Sequence, residues 1–142
     1  KLFDRQGMQI KVSEDIVSTL WTKMVAVGAI GSAMAASRAS FVEILASPHG
    51  EHTVRTTMEE IVAVGRSQGI TFPPRCVESK MADAIAEAEE TQASLQYDLD
   101  NGSPLELDDI LGAVVNIGRE AGVPVPASAA LVSVLDKFKH GS

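Results

Sequence analysis

An all-α fold is what this chain predicts, on three observations. Apolar residues recur at spacings of three and four over long windows, the period of an amphipathic helix. Start and stop signals punctuate those windows, among them Ser13-Glu14-Asp15, Ser103-Pro104-Leu105-Glu106, Gly69 and Gly122. Alternation of apolar with polar residues never lasts beyond a few positions, so no strand is expected.

The first helix opens on Ser13 as N-cap, with Glu14 and Asp15 as an acidic first turn, and runs to about Ala36. Ile16, Leu20, Lys23, Val27, Ile30 and Met34 share one side of it. Met24 to Ala36 carries no charge and is rich in Ala, Gly and Ser, with Gly28 and Gly31 as close-packing positions. That run of about a dozen residues is shorter than the roughly 20 a membrane span needs, so it reads as a core helix. A short helix from about Ser40 to Leu45 stops at Ser47-Pro48-His49-Gly50. The next begins near Glu51, buries Val54, Met58, Ile61, Val62 and Val64, and reaches Gly69 as its C′ residue. Pro73 and Pro74 break the pattern. A fourth helix covers about Arg75 to Glu90 with Val77, Met81, Ile85 and Ala88 inward. A helical turn from Ser94 to Leu99 ends at Asn101-Gly102. Ser103-Pro104-Leu105-Glu106 then reads as a capped helix start with a capping box, leading to Gly122. Val123 to Pro126 is an extended connector, and the last helix runs from about Ala127 to Phe138.

The 142 residues suit one domain with a sizeable core. A net charge of −7, without a Lys/Arg cluster, argues against nucleic acid as a partner. Nothing in the chain calls for a membrane. Cys76 is the only cysteine, which excludes an internal disulfide and suits a reducing, cytoplasmic compartment. His49, His52 and His140 lack the spacing and companions of a metal site. The polar start Lys1 to Gln6 has no signal-peptide character, and the chain lacks an initiator Met, which suggests a piece of a longer protein.

Lys23 stands out chemically. An ammonium within an apolar stripe must pair with a carboxylate, reach water along its stem, or accept a lowered pKa that makes it a proton donor. Neither a glycine-rich nucleotide loop nor a nucleophile elbow is present. The other candidates are Ser94, Asp98 and Glu106, each with a plain structural reading as well: two caps and a solvated acid. The small-residue run from Gly28 to Ala36 would also suit packing between copies in a homodimer.

Several motifs together resemble one family. Asp15-Ile16 with Trp21-Thr22-Lys23, Glu59 to Gly69, Ser94-Leu95-Gln96-Tyr97-Asp98, Glu106-Leu107-Asp108 with Gly112, and Gly122-Val123-Pro124-Val125-Pro126 are similar, in order and spacing, to the C-terminal domain of ketopantoate reductases. The resemblance implies a helical domain of the 6-phosphogluconate dehydrogenase C-terminal type, separated here from an N-terminal Rossmann domain. It implies an NADP-dependent enzyme reducing a 2-keto acid, ketopantoate, to pantoate in pantothenate synthesis. Lys23 would be the proton donor and Glu106 the acid that orders substrate and lysine. Ser94 would hold the substrate carboxylate, with Asp98 in support. Val27, Gly31 and Thr91 stand where the family commonly has asparagines that touch substrate. Reduction of a 2-oxo acid survives those departures, but selection for ketopantoate weakens. A reductase of a more apolar 2-keto acid and a non-catalytic helical dimerisation module are the alternatives.

Overall fold

The computed structural model describes residues 13–141. Among the described residues every regular element is helical: α1 (Ile16–Ser37), α2 (Phe41–Ala46), α3 (Gly50–Ser67), α4 (Cys76–Ala86), α5 (Ser94–Asp100), α6 (Leu111–Ala121) and α7 (Pro126–Leu135), followed by a 3₁₀ turn at Asp136–Phe138. All α is the fold.

Asp15, rather than Ser13, caps α1. Its carboxylate accepts the Ser18 hydroxyl at 2.6 Å and the Ser18 backbone N–H at 3.0 Å. These bonds, the hydroxyl's first, hold the Asp15 carboxyl below the usual carboxylate range. The helix continues for 22 residues until Arg38 turns into left-handed backbone. It is thus longer than its uncharged run suggested, and by length and composition alone could cross a membrane. Its second half is instead the central post of the fold, and the other six helices all touch α1.

Small residues make that possible. Val25, Ala29, Ala33 and Met34 are buried against α3, whose Val54, Met58, Ile61 and Val64 are fully enclosed. The first half behaves differently: Ile16, Leu20 and Val27 are 57%, 58% and 46% exposed. Only Ile30 and Met34 of the apolar stripe lie in the core, so the expected continuous buried face is corrected. Trp21 still anchors this half. It reaches α3 where Gly65 has no side chain, and a Cβ there would sit 3.1 Å from Trp21 and 2.6 Å from the Phe72 ring.

Two further expectations fail for visible reasons. α4 ends at Ala86 and leaves Ile85 exposed, because Glu87, Glu89 and Glu90 follow, and acids at a helix C-terminus oppose its dipole. No helix starts at Ser103. Residues 106–110 form turns, Ile110 leaves helical backbone at ψ −100°, and α6 begins at Leu111. Leu105 and Leu107 are both buried in a second cluster with Leu95, Leu99 and Leu135. Residues two apart on a helix do not share a face, so burying both leucines there favours an irregular turn. The capping box forms at Ser40 and Glu43 instead, where it starts α2.

Glu60 stitches the sequence-distant helices together. Only 7% exposed, its carboxylate accepts the backbone N–H groups of Ala127 and Ser128 at 2.9 and 2.7 Å and the Ser128 hydroxyl at 2.6 Å. Those N–H groups belong to the first turn of α7, which has no side-chain cap of its own. A carboxylate there satisfies orphan donors and complements the helix dipole.

Candidate active site

A cleft of about 390 Å³ opens where the two halves of α1 meet. Its α1 wall carries Lys23, Ala26, Val27, Ile30 and Gly31. The opposite wall is the segment entering α5, from Thr91 to Leu95, and Ile110 from the turn before α6 closes one side. The glycine positions control its width. A Cβ on Gly28 would touch Ile61, Met24 and Ile110 at 3.4–3.6 Å, whereas one on Gly31 would meet only the Ala93 Cβ at 3.8 Å. Gly31 therefore leaves room in the cleft, while Gly28 lets Ile110 approach.

Lys23 is exposed and stands on a ridge. A second cleft, of about 450 Å³, shares Lys23, Ala26 and Val27 with the first and adds Ser18, Thr19, Thr22 and Lys80. Among the described residues Lys23 joins no ion pair; Lys80 faces Asp83 at 3.9 Å. The Lys23 ammonium is available to a ligand, the arrangement a positioned proton donor needs.

Ser94 and Thr91 line the same cleft as Lys23 and Val27. Ser94 does not cap α5; Ala93 occupies the N-cap position and no side chain bonds there. Its hydroxyl is thus left for the cleft. The Thr91 hydroxyl donates to the Glu87 carbonyl at 2.9 Å. Asp98 and Glu106 fall elsewhere. Asp98 is half-buried on α5, with its backbone carbonyl accepting from the Ser103 N–H at 2.9 Å. Glu106 is exposed in the turn preceding α6, forms no capping box, and is not paired with Lys23. Its backbone carbonyl accepts the N–H of Ile110, a residue of the cleft wall, at 3.1 Å.

Sequence reasoning passed over Ala26, Ala93, Leu95 and Ile110 as lining residues and Lys80 on the neighbouring cleft. The apolar ones looked like ordinary helix core, and no local signal marked Lys80. Cys76 is buried, and burial pushes its thiol up, away from nucleophilic use.

The family described as "Ketopantoate reductase PanE/ApbA C terminal" matches residues 15–139. The chain belongs to that family. The 2-dehydropantoate 2-reductase of Mesorhizobium japonicum is 29% identical over 134 residues, which are 94% of this chain and 40% of that protein. The enzyme of the same name from Pyrobaculum aerophilum is 28% identical over 95% of this chain and 48% of its own length. The fold agrees too: a dimeric ketopantoate reductase from Staphylococcus aureus superposes with a TM-score of 0.85 at 23% identity, covering 93% of this chain and 46% of that one. The chain thus spans about half the length, or less, of the relatives it matches. It corresponds to the helical C-terminal part of a ketopantoate reductase.

Proposed function

We propose that this chain is the substrate-binding, proton-donating part of an NADP-dependent 2-dehydropantoate 2-reductase, an enzyme that reduces the 2-oxo acid ketopantoate to pantoate. The observation that carries this reading is the Lys23 ammonium, without an ion-pair partner among the described residues, on a largely apolar cleft it shares with Ser94. The described residues do not fit a dinucleotide cradle, since no strand leads into a glycine turn and Gly28 and Gly31 lie inside α1. Cofactor binding is therefore assigned to the length of the relatives that this chain does not cover. When bound, NADPH supplies the hydride to the substrate's C2.

The residues of this chain do the rest. As the carbonyl π pair moves onto oxygen, Lys23 donates an N–H proton to that oxygen and forms the hydroxyl. The neutral amine then regains a proton from water. The Ser94 hydroxyl donates to the substrate carboxylate and fixes which face of C2 is presented. Glu106 is proposed to order substrate and lysine from its turn, and Asp98 to support α5 from behind. Val27 and Thr91 shape the wall. The lone, buried Cys76 suits a reducing cytoplasmic setting.

The test is turnover by the full-length protein with NADPH and ketopantoate, followed by loss of NADPH absorbance. Oxidation that requires the 2-oxo acid and falls sharply in Lys23→Ala is expected. A full-length protein that binds NADPH and reduces no 2-oxo acid would overturn the reading.

A further inference from the structure

We infer that α7 is the contact between two copies of this chain, each α7 seated in an apolar groove that the other copy presents. From Pro126 to Leu135 the helix reads Pro-Ala-Ser-Ala-Ala-Leu-Val-Ser-Val-Leu, without a charged residue. Ser128 and Leu135 are buried, and Val132 packs against both core clusters. The opposite face carries Ala127, Ala130, Leu131 and Val134, at spacings of three and four. Ala130 is exposed there, and Val134 is 53% exposed. A helix apolar on both faces is built to be covered on both, and among the described residues only one face is.

Beside that outer face runs a groove of about 390 Å³ between α7 and the corner where α2 meets α3. Leu131 and Val134 form one wall, and Ala36, Ala39, Ile44 and Thr53 the rest. The corner is set by Gly50, which stands so close to the Ile44 carbonyl that no Cβ would fit. Glu43 also borders the groove, but its carboxylate accepts the Ser40 N–H and hydroxyl at 2.8 and 2.7 Å and is held to its own helix.

Charge points to a second copy as the occupant. Each chain carries a net −7, so two copies repel except where the facing surfaces are neutral, and α7 with its groove is such a surface. A two-fold contact also needs one patch that complements itself. Here the ridge of Ala127, Ala130 and Val134 lies beside the groove it would fill, and alanines at two of those positions let a partner helix come close. A two-fold axis makes the paired α7 helices antiparallel. Centred on Ala130, that pairing sets the two Lys137 ammoniums about 20 Å apart at opposite ends. The small-residue run of α1 cannot serve instead, because Gly28 to Ala35 is enclosed in the core.

Sedimentation velocity of the full-length protein at micromolar concentration should give the mass of two chains. Val134→Glu would bury two carboxylates per dimer and should raise the dissociation constant at least about ten-fold. Ala130→Glu, on the same face, should do the same and carries the test if the first variant does not fold. Val42→Glu makes the same charge change on α2 at a position 43% exposed, beside Ile85 and outside the groove, and should leave the dimer intact. A single-chain mass for the unmodified protein overturns the inference, whether water or another part of the protein covers α7. So does a dimer that survives both α7 substitutions, or one that Val42→Glu dissociates equally. Mass is the readout, so the outcome does not depend on whether the protein reduces a 2-oxo acid.

Discussion

The two halves of α1 both carry apolar residues at helical spacing and live in different environments. From Gly28 to Ala35 the helix is enclosed, with Ala29 at 0% exposure. Before Gly28 the helix is mixed: Ile16, Leu20 and Val27 face out, whereas Val25 is buried and Trp21 packs toward α3. Residue size is the difference. Glycine, alanine and serine in the second half let other helices approach closely, whereas among the described residues no helix is laid over Ile16, Leu20 and Val27. Lys23 sits at the seam, close enough to apolar walls to face a cleft and far enough out to stay solvated. Apolar periodicity therefore reports that a face is meant for contact, without saying whether the contact is core or ligand.

The sharpest way to break that contrast is Lys23→Ala in the full-length protein. Loss of a general acid should lower kcat by about 10²–10⁴, while thermal unfolding shifts little. A variant that keeps its rate but melts early would make Lys23 a packing residue and merge the two halves. Next comes Met34→Ala in the enclosed half, expected to cost about 2–5 kcal/mol by urea titration; a smaller loss would mean that the post is less tightly packed than its 2% exposure implies. Gly65→Ala tests how the exposed half is anchored. The new methyl would collide with Phe72 and crowd Trp21, for about 1–3 kcal/mol of overpacking and a change in Trp21 fluorescence. Leu20→Ser should change the stability of this chain by no more than about 0.5 kcal/mol, and a larger loss would show that Leu20 is covered.

The smallest effect is at the start of α1. Because the Ser18 hydroxyl and N–H favour the ionised Asp15, its pKa is lower folded than unfolded. That contribution is present above the ordinary value of 3.8 and is lost as pH falls below it through the folded pKa. Asp15→Asn, which keeps an acceptor but cannot titrate, should flatten the acid limb of the melting curve slightly. An unchanged acid limb would mean the cap does not couple to stability.

The helices were legible where a local signal was complete. Ser47-Pro48, Pro73-Pro74, Gly102 and Gly122 mark boundaries by backbone chemistry alone, and the structure keeps them. The segment from Ser103 to Ile110 misled because its cap signal is local while its fate is set by Leu105 and Leu107, which a distant cluster with Leu95 and Leu135 buries together. The site divides the same way. Lys23 was conspicuous as a charge out of pattern and Ser94 could equally be read as a helix cap, while Thr91 stood out only through family resemblance. Ile110 could not be told from core, because the wall it forms depends on α1 approaching through Gly28.

Glu60 carries a consequence for the order of assembly. Its bonds to Ala127 and Ser128 join positions 67 and 68 residues apart, so a long loop must close before they can form. A contact of that kind, if made after the rate-limiting barrier, mainly governs how long the native state lasts. Glu60→Gln should therefore speed unfolding in a stopped-flow denaturant series while refolding stays nearly as fast. A slowed refolding limb would instead put α7 in the nucleus. On the expected outcome, one buried carboxylate acts as a latch: it does little to guide the chain home and much to keep it there.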